Sequence, residues 1–322
     1  VFPLLKTLFF GTPETAVPFL RKLAERTQVL AVVSQPDKPA GRGLEVAPTP
    51  VKSAAQSLGL RVLQPVKPSE IAGELKALGA DLAVVVAYGR ILKPDTLAAT
   101  RLGFMNAHFS LLPKYRGAAP VQWSLVRGEK TTGVSLFWLD AGMDTGPIQA
   151  MRETPVDPDE DAGALLARLT TLGVEMLDAE LTALADGKIS RREQTGEATL
   201  APMIKREDAR IDLARPAAEI HDLVRGFRLW PRAYLEKTGE PRLLVLKTAL
   251  PSPADPAGRG TPGLILAVAR EGGILVECGS CSRLWFLDVQ PEGKKALGAA
   301  DFANGRRLAA GGFLPFAGKT NA

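Results

Sequence analysis

Asn106, His108 and Asp144 are the side chains of this sequence whose types and spacing suit acyl chemistry. The first two stand in Asn106-Ala107-His108-Phe109-Ser110-Leu111-Leu112-Pro113, which follows an apolar run and ends at a proline that cannot extend a sheet. Asp144 belongs to Leu139-Asp140-Ala141-Gly142-Met143-Asp144-Thr145-Gly146, after the next apolar run. An amide, an imidazole and a carboxylate at the ends of two strands of an α/β sheet can converge on one crevice. Asn106 is suited to donate to a carbonyl oxygen as it becomes an oxyanion. Asp144 is suited to orient His108, stabilise its cationic form and help carry a proton from an attacking amine. Asp140 reads as a turn residue. No activated serine or cysteine accompanies the set, so the acceptor itself attacks. An α-amino acceptor fits, since its unperturbed pKa of roughly 8 leaves a usable neutral fraction near physiological pH. The expected reaction is transfer of a one-carbon acyl group. The other histidine, His221, falls in a predicted helix beside Asp222 and reads as a surface residue.

The elements that must position these residues alternate short apolar strands with amphipathic helices. That pattern predicts an α/β, Rossmann-like domain with a mostly parallel sheet and helices on both faces. Strands are expected at 6–10, 29–34, 81–87, 104–107 and 132–139. Gly11-Thr12-Pro13-Glu14 opens a helix to about Arg26, with Thr12 as N-cap. The proline- and glycine-rich segment 35–50 has no apolar period and reads as one long loop. Leu82-Ala83-Val84-Val85-Val86 runs without alternation, as a strand buried on both faces does. A long helix over 161–186 shows a core-facing leucine stripe.

The apolar period gives way to polar residues near Gly187, which suggests a linker. The expected division is 1–188, a linker over 189–207, and 208–322. In the last segment one helix, 216–226, is followed by five short strands separated by Gly and Pro turns. That predicts a small C-terminal β-barrel of OB type, a fold that often contacts nucleic acid.

The chain has 322 residues, 46% hydrophobic, enough for two ordinary domains. No apolar run reaches the roughly 20 residues needed to span a bilayer, and no signal-peptide pattern opens the sequence. A cytoplasmic protein without membrane association is expected. The formal charge of +5 favours an anionic partner where the positive residues cluster. Cys278-Gly279-Ser280-Cys281 has redox or metal-site spacing, yet it lies between two strand-like runs instead of opening a helix, and reads as a hairpin turn. With no second such pair and no nearby His-x-x-x-His, no metal site is expected.

The signature around Asn106 and His108, with Asp144, resembles that of the folate-dependent formyltransferases. A member of nucleotide synthesis shares this core. The wider match is to the branch that acts on methionyl-tRNA, and it extends over nearly the whole chain. It includes Phe10-Gly11-Thr12-Pro13, Gln35-Pro36-Asp37-Lys38-Pro39-Ala40-Gly41-Arg42-Gly43, Val85-Val86-Ala87-Tyr88-Gly89, Tyr115-Arg116-Gly117-Ala118-Ala119-Pro120, Trp230-Pro231 and Gln290-Pro291-Glu292-Gly293-Lys294-Lys295-Ala296. The resemblance implies that 10-formyltetrahydrofolate is the co-substrate and initiator methionyl-tRNA the acceptor, with Asn106, His108 and Asp144 catalytic. It implies that Ser110, Leu111, Leu112 and Pro113 line the folate site and that Ala87, Tyr88 and Gly89 meet the pterin. It also implies that the loop from Gln35 to Lys52 enters the tRNA acceptor end, with Lys38 and Arg42 on phosphates or base edges. The loop departs from the family after Gly43, where Leu44-Glu45-Val46 stands in place of a basic cluster.

Charge clusters near the linker and the end of the chain, including Lys205, Arg206, Lys294 and Lys295, suit phosphate neutralisation. A monomer is expected. The alternatives are a formyltransferase acting on a nucleotide-linked amino sugar, a formyltetrahydrofolate hydrolase, and a non-catalytic RNA-binding scaffold. A dinucleotide-dependent dehydrogenase is disfavoured because Gly11-Thr12-Pro13 does not supply a G-x-G-x-x-G phosphate turn.

Overall fold

In the computed structural model, residues 4–40, 45–237, 239–270 and 272–316 are described. The chain forms two units. The first comprises Val1–Pro120, Thr131–Pro155 and Leu166–Ala201; the second comprises Val121–Lys130, Val156–Leu165 and Pro202–Ala322.

The run Thr7-Leu8-Phe9-Phe10 forms β1 (Lys6–Gly11), buried along all but its first residue. Thr12 does not cap the following helix: its hydroxyl donates to Tyr88 O at 3.0 Å, and a 3-10 turn at Glu14–Ala16 leads into α1 (Val17–Arg26). After β2 (Gln28–Val33), the segment expected as one loop contains a hairpin of β3 (Lys38–Ala40) and β4 (Glu45–Ala47), then enters α2 (Pro50–Ser57). Strands of three residues leave no readable period, so their pairing was invisible in the sequence. Thr49 caps α2, accepting from Lys52 N at 3.2 Å. The chain continues through β5 (Val62–Leu63), α3 (Ala72–Ala77), β6 (Leu82–Val86), α4 (Pro94–Leu97), β7 (Gly103–His108), β8 (Arg116–Gly117), α5 (Pro120–Val126), β9 (Thr131–Trp138), β10 (Ile148–Pro155), α6 (Ala162–Ala185) and β11 (Leu200–Ala201).

The main sheet has the order β10-β9-β7-β6-β1-β2-β5. Its pairings are parallel from β7 across to β5, as the alternating pattern predicts. β9 and β10 are antiparallel, an edge the sequence did not announce. β10 carries Met151-Arg152-Glu153-Thr154 on its exposed half and lacks a strand's apolar run. Leu8, Phe10, Val33, Val85, Tyr88 and Phe104 belong to one buried cluster on a face of this sheet.

In the second unit, α7 (Ala217–Gly226) precedes β12 (Tyr234–Leu235), β13 (Leu243–Ala249), β14 (Ile265–Ala269), β15 (Gly273–Glu277), β16 (Arg283–Pro291), β17 (Leu297–Gly298) and α8 (Ala299–Arg306). The strands pair antiparallel in the order β12-β13-β16-β15-β14, with β17 on β16. β17 and α8 were not expected. His221 is not a surface residue: it is 4% exposed, with Nδ1 2.9 Å from Thr248 Oγ1 and Nε2 3.3 Å from Pro158 O. It lies on the face of α7 that also buries Ile220, Leu223 and Val224, a face a single charged neighbour could not reveal. Arg225 is buried as well, paired with Asp222 at 2.7 Å and donating to the carbonyls of Asp157 and Glu160.

The cysteine pair occupies a hairpin turn between β15 and β16. Ser282 N donates to Gly279 O, and Ser280 and Cys281 take left-handed backbone angles of 57° and 53°, as a primed turn requires. Burial, with Glu277 adjoining, pushes the Cys278 thiol up to about 12, whereas Cys281 is exposed. Since the thiolate is the reactive form, a maleimide at about pH 8 should modify Cys281 and spare Cys278 until the chain unfolds. Peptide mass spectrometry checks this, and equal rates at both residues would contradict the packed turn.

Candidate active site

Parallel strands β1, β6 and β7 end at one edge of the main sheet, with Gly11 opposite Val86 and Val85 opposite Asn106. Immediately after β6, Ala87 and Gly89 take left-handed angles of 45° and 77°. Between them Tyr88 turns inward, packing edge-on against Phe10 at 5.4 Å. Burial pushes its phenol pKa up, which keeps the group neutral. Thr12 Oγ1 and Gln35 Nε2 donate to Tyr88 O at 3.0 and 2.8 Å. At 77° the turn favours glycine at position 89, and a side chain there would also displace the Gln35 amide from its bond to Tyr88 O. The outcome is an exposed strip of backbone at Ala87 and Gly89, beside the end of β7.

Asn106 and His108 are two apart on β7 and share a face, opposite Phe137 and Ser135 of β9. The Asn106 side-chain amide makes no hydrogen bond to another described residue, so its donors remain available to a ligand. His108 is 6% exposed, and its ring meets Phe137 edge-on at 6.2 Å. Its Nε2 lies 2.8 Å from Tyr115 O. A carbonyl can only accept, so Nε2 bears hydrogen and Nδ1 is the nitrogen that gains and loses a proton. Nδ1 faces Asp144 Oδ2 at 3.7 Å. The ring is therefore oriented by the Tyr115 carbonyl, where the sequence suggested Asp144, and the carboxylate stands ready for the charged form.

The route to Asp144 also differs from the expectation. Because β9 runs antiparallel to β7, Trp138 at its end lies opposite Met105, and Asp144 does not occupy an equivalent strand end. The chain from Leu139 to Pro147 instead doubles back to His108. Asp140 Oδ1 accepts from Gly142 N at 2.9 Å and Thr145 Oγ1 at 2.7 Å, a turn role. A side chain on Gly146 would lie 1.8 Å from Trp138 O. Asp144 adopts a left-handed angle of 54°, and its Oδ2 accepts from Gly117 N at 2.8 Å. Gln194, within the presumed linker, donates to the carbonyls of Asp144 and Gly146. No periodic or motif signal in the sequence pointed to it.

Ser110 to Pro113 form a braced loop. Ser110 Oγ donates to Lys114 O at 2.6 Å, and Ser135 Oγ donates to Ser110 O at 2.7 Å and accepts from Leu112 N at 3.1 Å. Leu112 packs against Phe137 and Ile148; Leu111 alone of the four is partly exposed. At the base of the β3–β4 hairpin, Asp37 pairs with Lys52 and accepts from Gln64 Nε2 at 2.7 Å. The Lys52 ammonium, seconded by Gln64, holds the Asp37 carboxyl below its ordinary range. Lys38 is exposed, and Arg42 lies outside the described residues. Lys205, Arg206, Lys294 and Lys295 are exposed in the second unit. Among the described residues, no cluster of three or more His, Cys, Asp or Glu could hold a metal ion, and no helix is long and apolar enough to cross a membrane.

A mostly parallel sheet in the first unit with a separate antiparallel sheet in the second is the formyltransferase fold. Residues 5–181 match the formyl transferase family and residues 203–307 match its C-terminal domain, so the chain belongs to the formyl transferase family. Among its relatives are methionyl-tRNA formyltransferases. The one from Sorangium cellulosum is 45% identical over 310 residues, covering 95% of this chain and 98% of that one. The one from Geobacter sulfurreducens is 46% identical over 319 residues, covering 98% of each. Among solved structures, the sugar 3N-formyl transferase WlaRD superposes with a TM-score of 0.65 over 91% of this chain and 99% of that one; at 17% identity this likeness concerns the fold.

Asp144→Asn keeps the side chain's shape but removes the charge that faces His108. It should slow formyl transfer by about 10²- to 10⁴-fold and shift the unfolding free energy by less than about 1 kcal/mol. A rate within a few-fold of the wild type would remove Asp144 from proton transfer.

Proposed function

We propose that this chain transfers the formyl group of 10-formyltetrahydrofolate to the α-amino group of methionine on initiator methionyl-tRNA, for translation initiation. The observation that carries this reading is identity of 44–46% to methionyl-tRNA formyltransferases along 95–98% of the chain. Both units are included in that match, so it extends beyond the acyl-transfer site.

In this reading the exposed backbone of Ala87 and Gly89, with the buried Tyr88 ring bracing the turn, receives the pterin, and the Ser110–Pro113 loop forms the adjoining wall. The acceptor amine attacks the formyl carbon directly. Asn106 donates to the formyl oxygen as it becomes an oxyanion, an interaction stronger in the transition state than in the ground state. The amine nitrogen sheds a proton as the new C–N bond forms. His108 takes that proton at Nδ1, where Asp144 Oδ2 stabilises the resulting imidazolium. As the old C–N bond breaks, the same proton is delivered to N10 of the departing folate, and the site returns to its starting charge.

The tRNA is held by charge. Residues 202–322 contain 18 Lys and Arg against 13 Asp and Glu, which accounts for the whole formal +5 of the chain. Lys205, Arg206, Lys294 and Lys295 meet phosphates, and Lys38 with Arg42 meets the acceptor end, so affinity falls as salt rises. The protein works as a cytoplasmic monomer, with residues 1–188 catalytic, 189–207 linking and 208–322 binding tRNA.

Formyl transfer measured with initiator methionyl-tRNA, elongator methionyl-tRNA and a UDP-linked amino sugar tests the reading. Selective formylation of the initiator is expected. Activity on the sugar alone would retain the site and overturn the RNA assignment, and no transfer to any of the three would favour the hydrolase or scaffold alternatives. His108→Ala should abolish transfer while sparing tRNA binding. Arg42→Ala should weaken productive tRNA engagement and leave folate affinity unchanged; a loss of folate affinity would contradict that division.

A further inference from the structure

We infer that Gln194 is a positioning residue for Asp144, holding the backbone of the turn that carries it. The inference rests on the formyl-transfer reading above. Gln194 Nε2 donates to Asp144 O at 2.9 Å and to Gly146 O at 2.8 Å. Its Oε1 accepts from Arg116 Nε at 3.2 Å and Nη2 at 2.7 Å. A guanidinium only donates, so Arg116 dictates which end of the amide faces it and thereby aims the NH2 at the two carbonyls. Gly117, the next residue, donates its N–H to Asp144 Oδ2. One short strand thus supplies both the group that orients the carboxylate and the group that orients Gln194.

The segment around Gln194 is tied down on both sides. Before it, Arg192 exchanges backbone bonds with Ile148; after it, Leu200 and Ala201 pair with Arg116 and Gly117. The Asp144 turn has no such ladder of its own. Asp144 holds a left-handed angle of 54°, and the two carbonyl bonds from Gln194 fix the backbone on either side of Thr145. The position matters because Nδ1 and Oδ2, at 3.7 Å, stand beyond hydrogen-bond length. A displacement of about 1 Å decides whether the carboxylate reaches the imidazolium during transfer.

The test is kinetic and spectroscopic. Gln194→Ala should lower kcat on the order of 10²-fold, with KM for folate and for methionyl-tRNA little changed. Gln194→Glu retains a partner for Arg116 but turns an oxygen toward both carbonyls, and should lose at least as much. In single-turnover assays on the Asp144→Asn background, adding Gln194→Ala should cost nothing further, since both act through one carboxylate. Multiplicative losses in the double variant, or a raised KM with kcat kept, would overturn the inference. A substrate-free readout separates it from the functional reading. The chain has two histidines, so ¹⁵N NMR of the ring nitrogens reports His108, with His221 in the second unit as a folding control. Gln194→Ala should move the His108 signals in the direction Asp144→Asn moves them and leave His221 in place; unmoved His108 signals would reject the positioning role. Should the wild type fail to formylate methionyl-tRNA, the substrate assignment falls and the NMR comparison alone decides the role of Gln194.

Discussion

The hydrogen bond between His108 Nε2 and the Tyr115 carbonyl is the constraint on which the site depends. It commits one ring nitrogen to the backbone and leaves Nδ1 facing Asp144. Everything around it serves to bring Tyr115 back to the strand it follows closely in sequence. Ser110, Lys114 and Ser135 close the loop through hydroxyl and carbonyl groups. Thr199 Oγ1 accepts from Tyr115 N, securing the loop from the far side. The Ser110-Leu111-Leu112-Pro113 stretch is therefore a brace as much as a wall, and its serine is spent on backbone geometry.

Ala87, Tyr115 and Asp144, three residues with left-handed backbone, surround the site, at 45°, 62° and 54°. Each such conformation opposes the preference of a residue with a Cβ, at a cost of order 1 kcal/mol, and persists where neighbours overdetermine it. Here the neighbours are identifiable. Thr12 and Gln35 hold the Tyr88 carbonyl beside Ala87; Thr199 holds Tyr115; Gly117 and Gln194 hold Asp144. Two of these positions turn a polar group to the end of β7: Tyr115 its carbonyl and Asp144 its carboxylate, both toward His108.

The hairpin of β3 and β4 is joined to this arrangement at its base. Gln35 donates to the Tyr88 carbonyl, Gln64 donates to Gln35 O and to Asp37, and Asp37 pairs with Lys52. The Asp37 and Lys52 charges at the base are internally matched, whereas Lys38, at the start of β3, is exposed. The net positive charge of the chain resides in residues 202–322, apart from the segment that carries Asn106, His108 and Asp144.

The sequence by itself determined the candidate catalytic residue types, the parallel strands that end beside them and the change to short strands after the polar stretch. These follow from local pattern: unalternating apolar runs such as Leu82–Val86 have few other uses, and an Asn-x-His pair after such a run has few bland explanations. Tertiary structure alone decided the direction of β9, and with it the doubling-back that brings Asp144 to His108, because strand direction depends on pairing partners far apart in the chain. It also decided that Thr12 serves Tyr88 instead of a helix, that His221 is buried against Thr248, and that Gln194 in a polar stretch supports the Asp144 turn. A side chain's hydrogen-bond partner is set by where distant segments arrive, and no spacing along the chain records that.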